Sequence, residues 1–543
     1  MKRQDIAEAH RDLERALELA PKNAVFNNAF GELLLREGDS QNAILRFRQA
    51  VASNPRFLRA RLNLGQILGQ TGSIAEAQAE YQIAVKLAPA DVEAHRGLGR
   101  MLSLSGHTDE AILQYQRAIQ LNPLRADLQD EYGSLLAQKL DYEGAAKRFQ
   151  NAIDLDSKLQ PAFLHLGVIR WQQQQPEEAL KYLQTAHQLN AEDAQASYFL
   201  GVVYAEQKQI PEALEALQAA VTAKPDFPDA QRRLGRLLQR AGRSEDAIVA
   251  FQQVAQLQPQ DPEAHNDLGL TLLQSGKADA AIQEFQQAAG LHPQDGTLRE
   301  NLGIARLQKS DFDGAISELQ AALQLAPERA EIYYNLGVAL KLKDRLPEAI
   351  AQLQKALEID PSSADAHYTL GIIFWQQGKF PQASDELRAA ISSRPNYAEA
   401  YETLGTVLKQ AGDLPGAASA LHEAIRLQPE SAGAHLTLSS VLQTQGDAAG
   451  ASAERHLGDE ISKNRNNLQA AIFATNFGKR LLDSGDVEGA IKQLRAAVTS
   501  YPDFPDAHRQ LGLALQRQGD DVGASQEFQK AAQLESNRLR SGH

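Results

Sequence analysis

The sequence predicts an all-α solenoid of about fifteen two-helix units. Three observations carry that expectation: a glycine returning every 34 residues, prolines keeping the same interval, and apolar residues at helical spacing within each interval. Fixed periods of roughly 20–50 residues mark stacked repeats, whose units bury their apolar faces only against their neighbours. The glycines are Gly31, Gly65, Gly99, Gly133, Gly167, Gly201, Gly235, Gly269, Gly303, Gly337, Gly371 and Gly405. Ser439 takes the next place, and Gly478 and Gly512 follow after a step lengthened to 39 residues. Glycine makes up only about 7% of average sequence, so chance does not place it at fourteen of fifteen such positions. Prolines run in step at Pro21, Pro55, Pro89 and Pro123, from Pro225 to Pro429, and at Pro502. The Pro429–Pro502 interval is 73, which is two periods plus the same five residues.

Each period resolves into two helices, about thirty-one in all. In 330–363 the first covers Glu331 to Lys343, with Leu336 and Leu340 at helical spacing and Gly337 on the packing side. A missing Cβ there lets two helices approach closely. The second opens near Pro347, which suits a first helical turn because its absent N–H is not needed. It turns Ala349, Leu353, Ala356 and Leu357 inward, and Pro361 stops it.

Composition narrows the function classes. The chain is 43% hydrophobic but only 6% aromatic, which suits helices packed through small residues. Its net charge of −14 gains nothing from counterion release, so nucleic acid is not an expected partner. With no cysteine there is no disulfide framework, thiolate metal site or cysteine nucleophile. No apolar run approaches the ~18 residues of a membrane span. Met1-Lys2-Arg3-Gln4-Asp5 leads straight into an amphipathic helix without a signal-peptide stretch. A soluble chain is expected; the missing cysteines do not fix its compartment, with cytoplasmic favoured over exported.

The period has a known likeness. Phe30-Gly31, Leu34, Ala43, Phe47, Ala50 and Pro55 follow W-x2-L-G-x2-Y, then A-x3-F, A and P, as do Leu268-Gly269, Leu272, Ala281, Phe285, Ala288 and Pro293. The chain thus resembles the tetratricopeptide-repeat (TPR) family, which implies a right-handed superhelix of 34-residue helix-turn-helix units. The likeness spans residues 24–538. The organisation it implies is a half-repeat (1–23), regular repeats one to twelve (24–431), an irregular repeat thirteen (432–470), repeats fourteen and fifteen (471–538) and a tail (539–543).

Three irregularities stand out. Repeats four and five have Ser157 and Ala191 in place of the terminal proline, so their helices are expected to run on. In repeat thirteen, Ser439 replaces glycine, Arg455 replaces Phe or Leu and Gly458 replaces alanine, with five residues added within 457–469. A loosened joint and a tolerated insertion both fit. Lastly, Ala524, Phe528 and Ala531 of repeat fifteen lack a following helix within this sequence, an edge suited to weak self-association.

Chemistry-bearing motifs are missing. There is no H-E-x-x-H, Walker A, G-x-G-x-x-G or G-x-S-x-G, and no carboxylate pair is singled out for acid–base work. No catalytic residue, metal or cofactor is expected. His95, His265, His367, His435 and His508 share one repeat position, which marks them as packing residues.

The surface remains. The resemblance implies that positions 2, 5, 9, 12 and 13 of each first helix face the groove, with the glycine as position 8. An apolar zone then holds Leu164, Val168, Trp171, Tyr198 and Val202, and a second holds Tyr334, Val338, Tyr368, Ile372 and Trp375. Arg232, Arg236 and Arg240 form a stripe at i, i+4 and i+8, and Arg96 and Arg100 add a second basic spot. The two tryptophans also fit packing between neighbouring first helices, and the stripe also fits pairing with Asp229 or Glu263. An anion would relieve its like-charge repulsion through bidentate hydrogen bonds. Position 9 is never asparagine, unlike the chaperone-binding carboxylate clamps. Asn63, Asn301, Asn335 and Asn476 at position 6 partly match the peptide-gripping ladder of protein O-GlcNAc transferases. The expected role is a non-catalytic scaffold gripping a protein or peptide segment. The alternative is the substrate-recruiting part of a larger enzyme, such as a glycosyltransferase of that type.

Overall fold

The structure, a computed structural model, describes the backbone of residues 3–541 and the side chains of residues 8–537. Thirty helices and no strand occur among the described residues, from Arg3–Leu19 to Asp521–Ser541. They fall into two compact units, residues 1–280 and 281–543. In each unit a helix packs on the next in sequence, and first helices also touch their neighbours one repeat away, as Gln160–Gln172 does with Ala126–Gln138 and Ala194–Glu206.

Repeat ten shows how sequence makes the pair. Its helices run over Ala330–Leu342 and Leu346–Ile359, with Pro347 in the opening turn of the second. Ala349, Leu353 and Ala356 are buried. A Cβ added to Gly337 would lie 2.7 Å from Leu353 Cγ, so only glycine admits this approach. In repeat one the same contact is made by Phe47 on Gly31. The turn between paired helices needs one left-handed residue. Glycine supplies it at ten positions, Gly38 among them, whereas Leu140, Gln174, Lys208, Ser310 and Asp344 adopt it with side chains.

Three expectations need correction. The helices of repeats four and five do not run on without proline: they end at Leu155 and Leu189. Asp156 and Asn190 close the turns instead, their side chains accepting from the backbone N–H of Lys158 (2.9 Å) and Glu192 (3.2 Å).

Repeat thirteen is not interrupted by a bend or loop. Its second helix and the first helix of repeat fourteen form one 36-residue helix, Ala448–Asp483, which accounts for thirty helices in place of thirty-one. The five added residues are simply helical. Arg455 is exposed, and the space left by the missing Phe or Leu admits Ser439, whose hydroxyl donates to the Ala451 carbonyl at 2.6 Å.

At the last repeat, Ala524 and Ala531 are already buried, and Phe528 is partly buried on Gly512. Its counterparts Phe47, Phe251 and Phe285 are fully buried, so part of the Phe528 ring stays uncovered at this edge. The backbone of Leu539, Arg540 and Ser541 continues the final helix, while Gly542 and His543 lie outside the described residues.

Candidate partner-binding site

Neighbouring first helices are tied by a recurring hydrogen bond between position 5 of one and position 6 of the next. In the first unit Asn63 donates to Asn28 (3.0 Å), Arg96 to Glu131 (2.5 Å), and His165 Nδ1 lies 2.8 Å from Asp130. In the second, Asn335 donates to Glu300 (3.1 Å) and Tyr368 meets Thr403 (3.5 Å). Asn63 and Asn335 are therefore engaged between repeats, and the peptide-gripping ladder is not free at these two positions.

The arginine stripe is largely neutralised within the first unit. Arg232 pairs with Asp261 and Glu263, and Arg236 pairs with Asp267 at 3.0 Å. Of these three, Arg240 alone is exposed without a partner among the described residues. Carboxylates at and just before the next first helix relieve part of the repulsion.

The other basic spot is mixed. Arg96 is bound to Glu131, whose hydrogen bond raises the guanidinium's affinity for its proton, and it also meets Asp127. Arg100 is exposed and unpaired beside Gln66, Tyr81 and Gly97 in a cavity of about 330 Å³. Tyr81 lies so close under Gly97 that an added Cβ would sit 2.1 Å from its ring, and burial pushes its hydroxyl up to about 12.

Both tryptophans lean on the next repeat. Trp171 donates from its indole N–H to Glu206 (2.7 Å) and Trp375 to Gln410 (2.7 Å). Trp171 also meets Phe199 at 5.9 Å between ring centroids. These contacts favour packing between first helices, and both tryptophans remain partly exposed.

The second apolar zone is similarly bound up. Tyr368 packs on Tyr397 at 5.0 Å, and the Arg394 guanidinium covers Tyr397 at 4.6 Å. Asp365 accepts from Arg394 (2.7 Å) and from the Tyr397 hydroxyl (3.1 Å), and the Arg394 bond holds its carboxyl below the usual range. Tyr334, Val338, Ile372 and Trp375 are partly buried around this cluster's helices.

The first apolar zone keeps an open site. Leu164, Val168, Ile169, Tyr142, Phe149 and Phe199 wall a cavity of about 420 Å³. Gln138, Gln172 and Gln195 also line it, and among the described residues their side-chain amides have no hydrogen-bond partner. Leu164 is only 5% exposed and forms the inner wall, with Val168 more open. Tyr198 lies beside the site, packed on Phe199 (5.2 Å) and Phe227 (5.0 Å). Val202 is a correction: at 2% exposed it belongs to the core and offers nothing to a partner. Phe199 and Tyr142 were not among the sequence candidates. They stand at position 6 and at the start of a second helix, outside the groove scheme, and their aromaticity was the only signal.

The recurring histidines are bonded rather than merely packed. Nδ1 of His95, His367, His435 and His508 faces Gln114, Glu386, Glu454 and Glu527 within 2.5–2.7 Å. Nε2 of each of these, and of His265, faces a proline carbonyl six residues earlier. No group of three His, Asp or Glu side chains among the described residues is placed to hold a metal ion, and no helix there is long and apolar enough to cross a membrane.

Comparison with known proteins bears on this arrangement. A family model described as tetratricopeptide repeat matches residues 28–77, 62–126, 131–186, 164–228, 232–296, 368–432 and 402–455. A second, described as TPR repeat, matches 305–344, 340–378 and 478–519. No curated protein matches the chain in sequence. Similar solved structures include Pseudomonas aeruginosa pilF, with 20% identity over 37% of this chain and 92% of that one and a TM-score of 0.35. MamA shares 28% identity over 30% of this chain and 96% of its own, with a TM-score of 0.29. YrrB, described as a TPR protein with an unusual peptide-binding site, shares 24% identity over 34% and 95%, with a TM-score of 0.29.

Proposed function

The chain belongs to the tetratricopeptide-repeat family, and on that premise we propose that it is a non-catalytic scaffold holding an extended segment of a partner protein. The observation that carries this reading is the 420 Å³ cavity walled by Leu164, Val168 and Phe199 and lined by three unpartnered glutamine amides. An apolar pocket accepts one large side chain of the partner. Gln138, Gln172 and Gln195 each offer a donor and an acceptor, which matches the alternating N–H and C=O of a peptide backbone. The pocket supplies affinity by removing apolar area from water, and the amides set the register of the segment.

Arg100 and Arg240 extend the same reading to acidic residues in the partner, each being a guanidinium without a protein carboxylate. The aromatic cluster of the second unit has its polar groups satisfied internally, so it supports the repeats more than it offers a site. Self-association through the last repeat keeps little support, since two of its three apolar residues are already buried.

The test is selection from a library of random peptides with the full chain. A large aliphatic or aromatic residue should be enriched at one fixed position, and binding should fall at least tenfold in Val168→Asp. Selected peptides that bind this variant as tightly as wild type would refute the site.

A further inference from the structure

The third and seventh residues of a first helix are the ones the preceding second helix covers. Ala60, Ala94, Ala400 and Ala507 at position 3, and Leu64, Leu98, Leu404 and Leu511 at position 7, are all buried. Repeat fourteen breaks the rule. Its position 3 is Phe473, 69% exposed, and its position 7 is Phe477, 39% exposed. No other phenylalanine among the described residues is exposed. The cause is the 36-residue helix: the second helix that should cover this face is the same helix, continued.

The missing cover can be specified. Elsewhere the second-helix residue at position 27 shares a buried cluster with position 3 of the next repeat, as Ala288 does with Leu298 and Ala497 with Ala507. The corresponding pair is Gly458 and Phe473, fifteen residues and about 22 Å apart along one helix axis, so within a chain they cannot meet. Gly458 is itself buried, with Leu436 of its own repeat 2.8 Å from where a Cβ would lie. Glycine replaces the usual alanine on one side, and phenylalanine replaces the usual alanine on the other. Beside Gly458 stand Leu436 and Leu457, 38% and 44% exposed. Charge divides along the same helix. Residues 448–460 carry Glu454, Asp459 and Glu460 against Arg455, whereas 461–482 carry Lys463, Arg465, Lys479 and Arg480 and no carboxylate.

We propose that the occupant of this face is a second copy of the chain, its long helix laid antiparallel across the first about a two-fold axis near residues 465 and 466. That arrangement sets Gly458 of each copy under Phe473 of the other and repeats between copies the contact that joins repeats within a chain. In that register residues 448–460 of each copy, with Glu454, Asp459 and Glu460, lie along residues 471–483 of the other, with Lys479, Arg480 and Asp483, while Lys463 and Arg465 of both copies meet at the axis. Arg455, anomalous within its own repeat, then reaches Phe477 of the other copy, where a guanidinium on an aromatic face is favourable.

The experiment uses the full chain in sedimentation velocity over a concentration series, beside Phe473→Asp and a single-cysteine variant, Asn466→Cys. The chain has no other cysteine, and residue 466 lies two helical turns from Phe473 on the same face. Wild type should reach a dimer, Phe473→Asp should stay monomeric at concentrations where wild type is paired, and Asn466→Cys should form an inter-chain disulfide on mild oxidation. Because Phe473 is exposed in the single chain, its replacement leaves the helices intact, which circular dichroism checks. A wild type that stays monomeric overturns the proposal, whether the face then serves a foreign helix or folds back on itself. So does a dimer that persists in Phe473→Asp, or one in which Asn466→Cys does not cross-link.

Discussion

Nδ1 of His435 lies 2.6 Å from the carboxylate of Glu454, nineteen residues on, and this bond joins the two helices of one repeat. Nε2 of the same ring lies 3.0 Å from the Pro429 carbonyl. Both neighbours are acceptors, so the position wants two donors. Arg61 supplies them at the same place in repeat two, to Pro55 (2.8 Å) and Glu80 (2.5 Å), and Arg299 does so in repeat nine. His435→Phe should therefore destabilise the second unit by about 2 kcal/mol, the cost of leaving buried acceptors unpaired. His435→Arg should be close to neutral. Urea denaturation of both variants checks this, and equal losses would mean that ring packing, rather than bonding, matters at this position.

The five side chains held at positive φ give a prediction of opposite sign. Gln174 has φ 60° where ten other repeats use glycine. A left-handed backbone costs an L-residue roughly 1–2 kcal/mol, offset in part by glycine's greater freedom when unfolded. Gln174→Gly should raise stability by about 0.5–1 kcal/mol. A lower midpoint in thermal melting would contradict it.

Glu300 is buried between first helices, bonded to Arg329 (2.9 Å) and Asn335 (3.1 Å). Burial nevertheless wins over both partners and raises its carboxyl above the usual range. The folded state then holds this proton more tightly than the unfolded chain. Stability should fall as pH rises from the ordinary carboxylate range through the raised value. Glu300→Gln should remove that part of the pH dependence and keep the bond to Asn335. Identical stability-versus-pH curves for wild type and variant would show that Arg329 compensates fully.

Much of this was legible before the structure. The glycine interval placed the helices of repeat ten within a residue of where they lie, because Gly337 marks an approach that only glycine permits and Pro347 sits in the opening turn of the second helix. The long helix also had a signal: between Gly458 and Gly478 there is no glycine or proline to end it. The site was harder to read. Val202 and Arg232 occupy groove positions by the family pattern, yet one is buried and the other is paired with Asp261 and Glu263. Position in a repeat sets where a side chain starts. Neighbours one period away decide whether it remains available, and that pairing is not written in any single repeat.

The central claim is that a partner segment lies on the first helices of repeats four to six, with a side chain in the cavity beside Val168. Photo-cross-linking tests it most directly, with a benzophenone amino acid placed at Gln172 and, separately, at Lys181 on the neighbouring second helix, against a peptide selected by the chain. Capture at Gln172, lost when Val168→Asp is added, is the predicted result. Capture at Lys181 equal to that at Gln172, or capture at Gln172 that survives Val168→Asp, would contradict the account.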